Sequence, residues 1–197
     1  VTGTGKLQSA EAGADCGESG STLRFFIPLG ALLGEAFTFT GHGKLVSRPL
    51  NAYYDIFEKQ GLSYQTAEEG HLPLTVNGKL EAGTYQLPGN ISSQYVSGLL
   101  FALPLLENDS VIEITSELES SAYVDMTLSC LKKYGIEEQL VKRKQNNIPN
   151  KFITNLFLPM TKLLYLITLL FFQNTHCHFL EKQANDPHNV THVLPDE

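Results

Sequence analysis

The sequence has 197 residues, of which 42% are hydrophobic and 18% are charged, as in a globular domain that buries a sizeable core. Its formal net charge of −7 argues against nucleic acid as the main partner, because a nucleic-acid-binding domain usually presents a basic face. An anionic ligand must therefore be held locally, by a few well-placed donors, and not by the overall field of the protein.

Helices and strands are expected to alternate through the first two thirds of the chain. In chain order the patterns predict a helix at 21–33, a strand at 36–40, a helix at 50–60, strands at 62–65, 72–76 and 84–87, a helix at 92–106, a strand at 111–115 and a helix at 122–134. Pro49 suits the first turn of the second helix, and Gly135 the position that follows the last one. Asn77-Gly78 is a signal for a hairpin turn.

Part of this pattern repeats with an offset of 71 residues, the separation of Ser21 and Ser92. The same offset brings the strand at 36–40 close to that at 111–115, and the helix at 51–61 close to that at 122–135. The match is one of pattern more than of identity. It predicts a unit of two helices and about four strands, used at least twice, with the copies sharing a core.

The composition changes near Ile136. All 16 glycines lie in residues 1–136, whereas four of the six histidines lie in 137–197. We therefore predict a domain at 1–136 and an unrelated tail at 137–197, either disordered or an irregular helix.

Two segments combine small residues with the start of a helix. Asp15–Arg24 and Pro88–Gln94 each place backbone N–H groups where a phosphate or carboxylate can approach, and Arg24 adds a bidentate donor. Ordinary helix caps, with Ser19 or Ser21 capping the first helix, are the alternative for each segment taken alone. Their equivalent positions in the repeat favour a shared role.

Weaker signals lie elsewhere in the chain. Arg48-Pro49 precedes the second helix, and its counterpart, Ser120–Tyr123, precedes the fourth.

The histidines around Cys177 match no standard zinc spacing, so no metal site is predicted. Polar residues interrupt the apolar stretch Phe152–Phe172, which makes a membrane span improbable. An odd cysteine count (Cys16, Cys130 and Cys177) and the lack of a signal-peptide pattern predict the cytoplasm.

Taken together, four motifs resemble the enolpyruvyl transferases, and specifically the 5-enolpyruvylshikimate-3-phosphate synthases. They are Gly17–Arg24 (GESGSTLR), Ser47–Leu50 (SRPL), Pro88–Tyr95 (PGNISSQY) and Ser120–Thr127 (SSAYVDMT). Their order and spacing fit across about 136 of the 197 residues. The resemblance implies an α/β fold: an enolpyruvyl transferase lobe built from repeated βαβαββ units, about two of the six units of the full enzyme.

The resemblance also implies an activity. The family transfers the carboxyvinyl group of phosphoenolpyruvate to the 5-hydroxyl of shikimate 3-phosphate, a step of the shikimate pathway towards chorismate and the aromatic amino acids. It uses no metal or organic cofactor, and glyphosate competes for the phosphoenolpyruvate site. We expect a monomer with two small-molecule substrates and no nucleic acid or membrane partner.

Carried over by motif, the site residues fall into two sets. The phosphoenolpyruvate set is Gly20, Arg24, Arg48 and Gln94. The shikimate 3-phosphate set is Ser92, Ser93, Gln94, Ser120 and Tyr123. Glu18 departs from the family, which often has asparagine there, and a carboxylate beside a phosphate site is unfavourable unless it points away.

The family's acid/base residues belong to a second lobe, and none is identified in this chain. We therefore expect a first-lobe fragment with little or no catalysis alone. A frameshift or mis-predicted gene is the preferred explanation of the tail, and a genuine fused segment the second. The alternative functions are a non-catalytic or membrane-attached binding protein that reuses the lobe, and the sister transferase that acts on UDP-N-acetylglucosamine.

Overall fold

The computed structural model describes residues 7, 9, 11–136, 138–141 and 151–154, the last two ranges as backbone only. Two successive units have the same order of elements, βαβαββ. The first comprises β1 (Gly13–Asp15), α1 (Gly20–Gly30), β2 (Phe37–Thr40), α2 (Asn51–Gln60), β3 (Ser63–Gln65) and β4 (Leu74–Asn77). The second comprises β5 (Thr84–Leu87), α3 (Ser93–Ala102), β6 (Ser110–Ile114), α4 (Ser121–Lys133), β7 (Glu138–Val141) and β8 (Lys151–Thr154). Short 3-10 turns at Gly43–Leu45 and Leu103–Leu105 complete the assignment.

Each unit forms one four-stranded sheet, and the two sheets have the same topology. The strand orders are β1-β2-β4-β3 and β5-β6-β8-β7. In each sheet the first two strands run parallel and the others pair antiparallel. Parallel neighbours need a crossover, which α1 and α3 provide. The α/β class and the βαβαββ order predicted from the sequence are confirmed.

The predicted hairpin at Asn77-Gly78 is wrong. β4 pairs with β2 and β3, whereas β5 pairs with β6 in the second sheet. The Asn77-Gly78 step, where Gly78 has φ +117°, therefore leads the chain from one sheet to the other. The chain does change direction at this step, but β4 and β5 do not pair with each other, because each pairs with other strands in its own sheet.

The second sheet continues past Ile136, where the composition changes. The backbone of β8 pairs with β6, in the register Ile112 to Phe152, and β7 pairs with β8. The boundary at Ile136 and an unrelated tail remain predictions. The first residues of the apolar stretch Phe152–Phe172 are in β8, and its remainder lies outside the described residues. Among the residues that are described, no helix is long and apolar enough to cross a membrane.

The two units share one core because α1 packs against α3. Leu23, Ile27 and Leu99 are at most 1% exposed along this contact. Gly98 lets the helices approach closely, since a Cβ there would lie 2.5 Å from the backbone oxygen of Arg24. The Tyr53 hydroxyl donates to that same oxygen at 2.5 Å. This packing brings the first turns of α1 and α3 side by side.

Candidate functional site

The chain enters α1 through a tight loop whose polar groups satisfy one another. The backbone N–H of Gly17 donates to Asp15 Oδ1 at 3.0 Å, and that of Thr22 donates to Ser19 Oγ at 3.2 Å. Of the two candidate caps, Ser19 is thus the one used. Ser21 lies inside the helix, where its hydroxyl makes a different contact.

Two guanidinium groups converge on Gly20, the first residue of α1. A Cβ at Gly20 would lie 2.5 Å from Arg48 Nη1 and 3.2 Å from Arg24 Nη1. Neither arginine has a carboxylate partner in the part of the chain that is described, and the buried Arg24 Nε has no hydrogen-bond partner. Two cations with no counter-charge among the described residues, next to a helix start, form a candidate site for an anion.

Gln94 connects this anion site to the second helix start. Its Oε1 accepts from Arg24 Nη1 at 2.9 Å, and its Nε2 donates to Ser21 Oγ at 2.6 Å. All four residues of the predicted phosphoenolpyruvate set, Gly20, Arg24, Arg48 and Gln94, therefore form one contiguous group.

The loop before α3 is held against the loop before α4. Gly89 N donates to Ser116 Oγ at 2.8 Å, and Glu119 N donates to Gly89 O at 3.1 Å. A side chain at Gly89 would overlap the backbone oxygen of Glu117, so glycine is required by this close approach. The pairing of the loops brings Ser120 beside the start of α3, where Ser92 caps the helix.

A groove of about 590 Å³ opens between these helix starts. It contains the whole predicted shikimate 3-phosphate set. Its lining is Ser21, Phe25, Ser92, Ser93, Gln94, Ser97, Phe101, Ser120, Tyr123, Met126, Thr127 and Cys130. Ser92 is exposed, Ser93 is buried, and Tyr123 is 63% exposed. Hydroxyl, amide, aromatic, thioether and thiol groups thus line the same groove.

Sequence reasoning missed several of these lining residues. Ser97 and Thr127 lie on facing helices and share a hydrogen bond of 2.8 Å between their hydroxyls. Each is four residues beyond a predicted site residue, Ser93 or Tyr123, so helical spacing was the available signal. Ser21 had been considered only as a helix cap.

Glu18 points away from the two arginines. Its Oε1 lies 3.7 Å from His42 Nε2, and its carboxyl group lies against Gly43. Both side chains are more than half exposed, so solvent weakens this contact. The sequence predicts a carboxylate beside an anion site. In the fold, this carboxylate is directed towards the loop that contains His42 and Gly43.

Cys16 lies in the loop between β1 and α1 and is 4% exposed. Burial, with a smaller contribution from the Asp15 carboxylate, raises the pKa of this thiol to about 12. A thiol must ionise to react with an alkylating reagent. We therefore expect Cys16 to resist iodoacetamide at pH 8.5 while the half-buried Cys130 is modified, as measured by peptide mass spectrometry. Modification of Cys16 at the rate of Cys130 would contradict this, and both residues should react after unfolding in urea.

The remaining sequence candidates lie outside the described residues. These include the tail histidines and Cys177 considered for a metal. Across the described ranges, no group of three histidine, cysteine or acidic side chains is arranged to hold a metal ion.

Comparison with known proteins identifies the same family throughout. A family model of EPSP synthase (3-phosphoshikimate 1-carboxyvinyltransferase) matches residues 1–149. The 3-phosphoshikimate 1-carboxyvinyltransferase of Clostridium kluyveri is 59% identical over 136 residues, which are 69% of this chain and 32% of that protein. That of Clostridium novyi is 53% identical over 137 residues, or 70% and 31% of the two chains. This chain therefore spans about a third of the length of the curated relatives it matches.

Solved structures agree at the level of the fold. The structure of EPSP synthase from Acinetobacter baumannii superposes with a TM-score of 0.57 at 23% identity, over 75% of this chain and 31% of that one. Two βαβαββ units of this topology, together with the family match, thus define an α/β lobe of the enolpyruvyl transferase class. The family match is more specific: the chain belongs to the EPSP synthase (3-phosphoshikimate 1-carboxyvinyltransferase) family.

Proposed function

We propose that this chain supplies the substrate-binding surface for transfer of the carboxyvinyl group of phosphoenolpyruvate to the 5-hydroxyl of shikimate 3-phosphate. One observation carries the proposal. Among the described residues, Arg24 and Arg48 have no carboxylate partner, and Gln94, which accepts from Arg24, also lines the groove that carries the serine hydroxyls. Two substrates that react with each other must bind at adjoining positions.

The serine hydroxyls of the groove suit the phosphate of shikimate 3-phosphate. Ser92, Ser93 and Ser120 supply these hydroxyls, and the start of α3 contributes its partial positive charge. The exposed Tyr123 ring lies along the same groove, where it can cover the carbocycle. Local donors of this kind allow an acidic protein to hold an anion.

The group around Gly20 suits phosphoenolpyruvate, which carries both a phosphate and a carboxylate. Arg48 is exposed and can form bidentate hydrogen bonds with either group. Because glycine stands at position 20, no side chain separates a ligand from the helix start. No metal ion or organic cofactor is needed for binding of this kind. In this proposal the protein acts as a cytoplasmic monomer with two small-molecule substrates, without nucleic acid or membrane.

Calorimetric titration of the 197-residue chain with shikimate 3-phosphate tests the proposal. Ser92→Ala and Ser120→Ala should each raise Kd by about 10-fold, since each removes a hydrogen bond to a charged group. Shikimate without its phosphate should bind weakly to the parent and respond little to these substitutions.

Ser63→Ala in β3 is the matched control, because its exposed hydroxyl lies in the other sheet. Equal Kd values for the control and the two groove variants would overturn the assignment. Tighter binding of UDP-N-acetylglucosamine than of shikimate 3-phosphate would favour the sister transferase.

A further inference from the structure

The Gln94 amide is held from both sides in a single orientation. Its oxygen accepts from Arg24 Nη1 at 2.9 Å, and its nitrogen donates to Ser21 Oγ at 2.6 Å. An arginine side chain has donors and no acceptor, so only the oxygen end of the amide can face it. The nitrogen end must therefore face Ser21, which lines the groove.

Arg24 itself is fixed by its surroundings and has little access to solvent. It is 9% exposed, and its guanidinium carbon lies 5.1 Å from the centre of the Tyr95 ring. The bond to Gln94 is its only side-chain hydrogen bond within the described chain, and its Nε has no partner there. Burying a cation with one neutral acceptor costs free energy of folding. The hydrogen bond that Arg24 does make holds Gln94, a proposed ligand-binding residue, in place.

We propose that Arg24 is a positioning residue that acts through Gln94. By fixing the amide, it directs the nitrogen of Gln94 towards Ser21 and the groove. One amide proton is donated to Ser21, and the other has no acceptor among the described residues, so it is available to an oxygen of shikimate 3-phosphate. This inference rests on the proposed function and deepens it, because the sequence resemblance had grouped Arg24 with the direct contacts of phosphoenolpyruvate.

A double-mutant cycle separates action through Gln94 from direct contact with a ligand. The variants are Arg24→Met, Gln94→Ala and the double variant, and the readout is Kd for shikimate 3-phosphate by calorimetry. Each single substitution should raise Kd on the order of 10-fold. The double variant should lie within about 2-fold of Gln94→Ala, because Arg24 has nothing left to position. Additive effects would overturn the proposal.

Lys59→Met is the control for loss of one positive charge, since Lys59 is an exposed cation of α2 whose ammonium group donates to the Gln86 side chain. Its Kd should match that of the parent. If Arg24→Met does not fold, the same cycle is run with Arg24→Leu, which also removes the donor to Gln94, and additivity again overturns the proposal.

A second measurement needs no ligand. In nitrogen-15 NMR spectra of the free chain, the two side-chain amide protons of Gln94, assigned by their loss in Gln94→Ala, should have shifts displaced from those of a solvent-exposed glutamine, because the amide is hydrogen-bonded at both ends. In Arg24→Met they should move towards the solvent-exposed values. Unchanged shifts would overturn the positioning role. If the parent chain fails to bind shikimate 3-phosphate, the proposed function fails while this spectrum still decides the role of Arg24.

Discussion

Arg48→Ala should weaken phosphoenolpyruvate binding by about 10- to 100-fold, because it removes charge-assisted hydrogen bonds to that ligand. Binding of shikimate 3-phosphate should stay within about 2-fold, because Arg48 belongs to only one of the two adjoining sites. Arg48 lies over Gly20 and outside the lining of the groove. Its own loop is held by a backbone contact, in which the Tyr95 hydroxyl donates to the carbonyl oxygen of Pro49 at 2.5 Å. Removal of the side chain therefore takes away a cation without releasing the loop.

The measurement is calorimetric titration of each substrate into the parent and the variant. Lys59→Ala serves as the control, because it removes the same charge from an exposed position of α2. Loss of affinity for both substrates together would indicate that the lobe had rearranged. An unchanged Kd for phosphoenolpyruvate would remove Arg48 from the site.

Local signals in the sequence were sufficient for most of the helices and strands. The helix predicted at 50–60 is observed at Asn51–Gln60, and that predicted at 122–134 at Ser121–Lys133. Gly135 follows the latter helix with φ +83°, as its position predicted. These features depend on neighbours within a few residues, which the sequence displays directly.

Features that depend on distant neighbours were not predictable in the same way. Arg24 and Gln94 are 70 residues apart in sequence, and no local pattern shows that the oxygen of one amide meets that guanidinium. The repeat suggested that the two helix starts were equivalent. It did not show that they were adjacent, which follows from how α1 and α3 pack.

The choice of Ser19 over Ser21 as the cap also has a tertiary cause. Both serines suit the position by residue type. In the fold, Ser21 is the second residue of α1 and its hydroxyl accepts the hydrogen bond from Gln94, whereas the Ser19 hydroxyl caps the helix. A sequence pattern typical of an ordinary helix cap can thus contain, two positions after the cap, a residue that lines the candidate binding groove.

The helix packing that creates the site should be sensitive to one added methyl group. Gly98→Ala places a Cβ against the Tyr53 hydroxyl and 2.5 Å from the backbone oxygen of Arg24. That oxygen belongs to α1 and cannot move without moving the helix. Overpacking of this kind costs typically 1–3 kcal/mol, more than the gain of at most about 1 kcal/mol in helix propensity from glycine to alanine. We expect the free energy of unfolding to fall, as measured by urea denaturation.

Gly83→Ala is the control for this experiment, because its Cβ would have only one neighbour, Gln60 Nε2 at 3.6 Å. Its stability should lie within about 1 kcal/mol of the parent. Gly98→Ala should also weaken binding of shikimate 3-phosphate, since separating α1 from α3 pulls Arg24 and Ser21 away from Gln94. A destabilised Gly98→Ala that kept full affinity would show that the groove does not depend on the contact between the two helices.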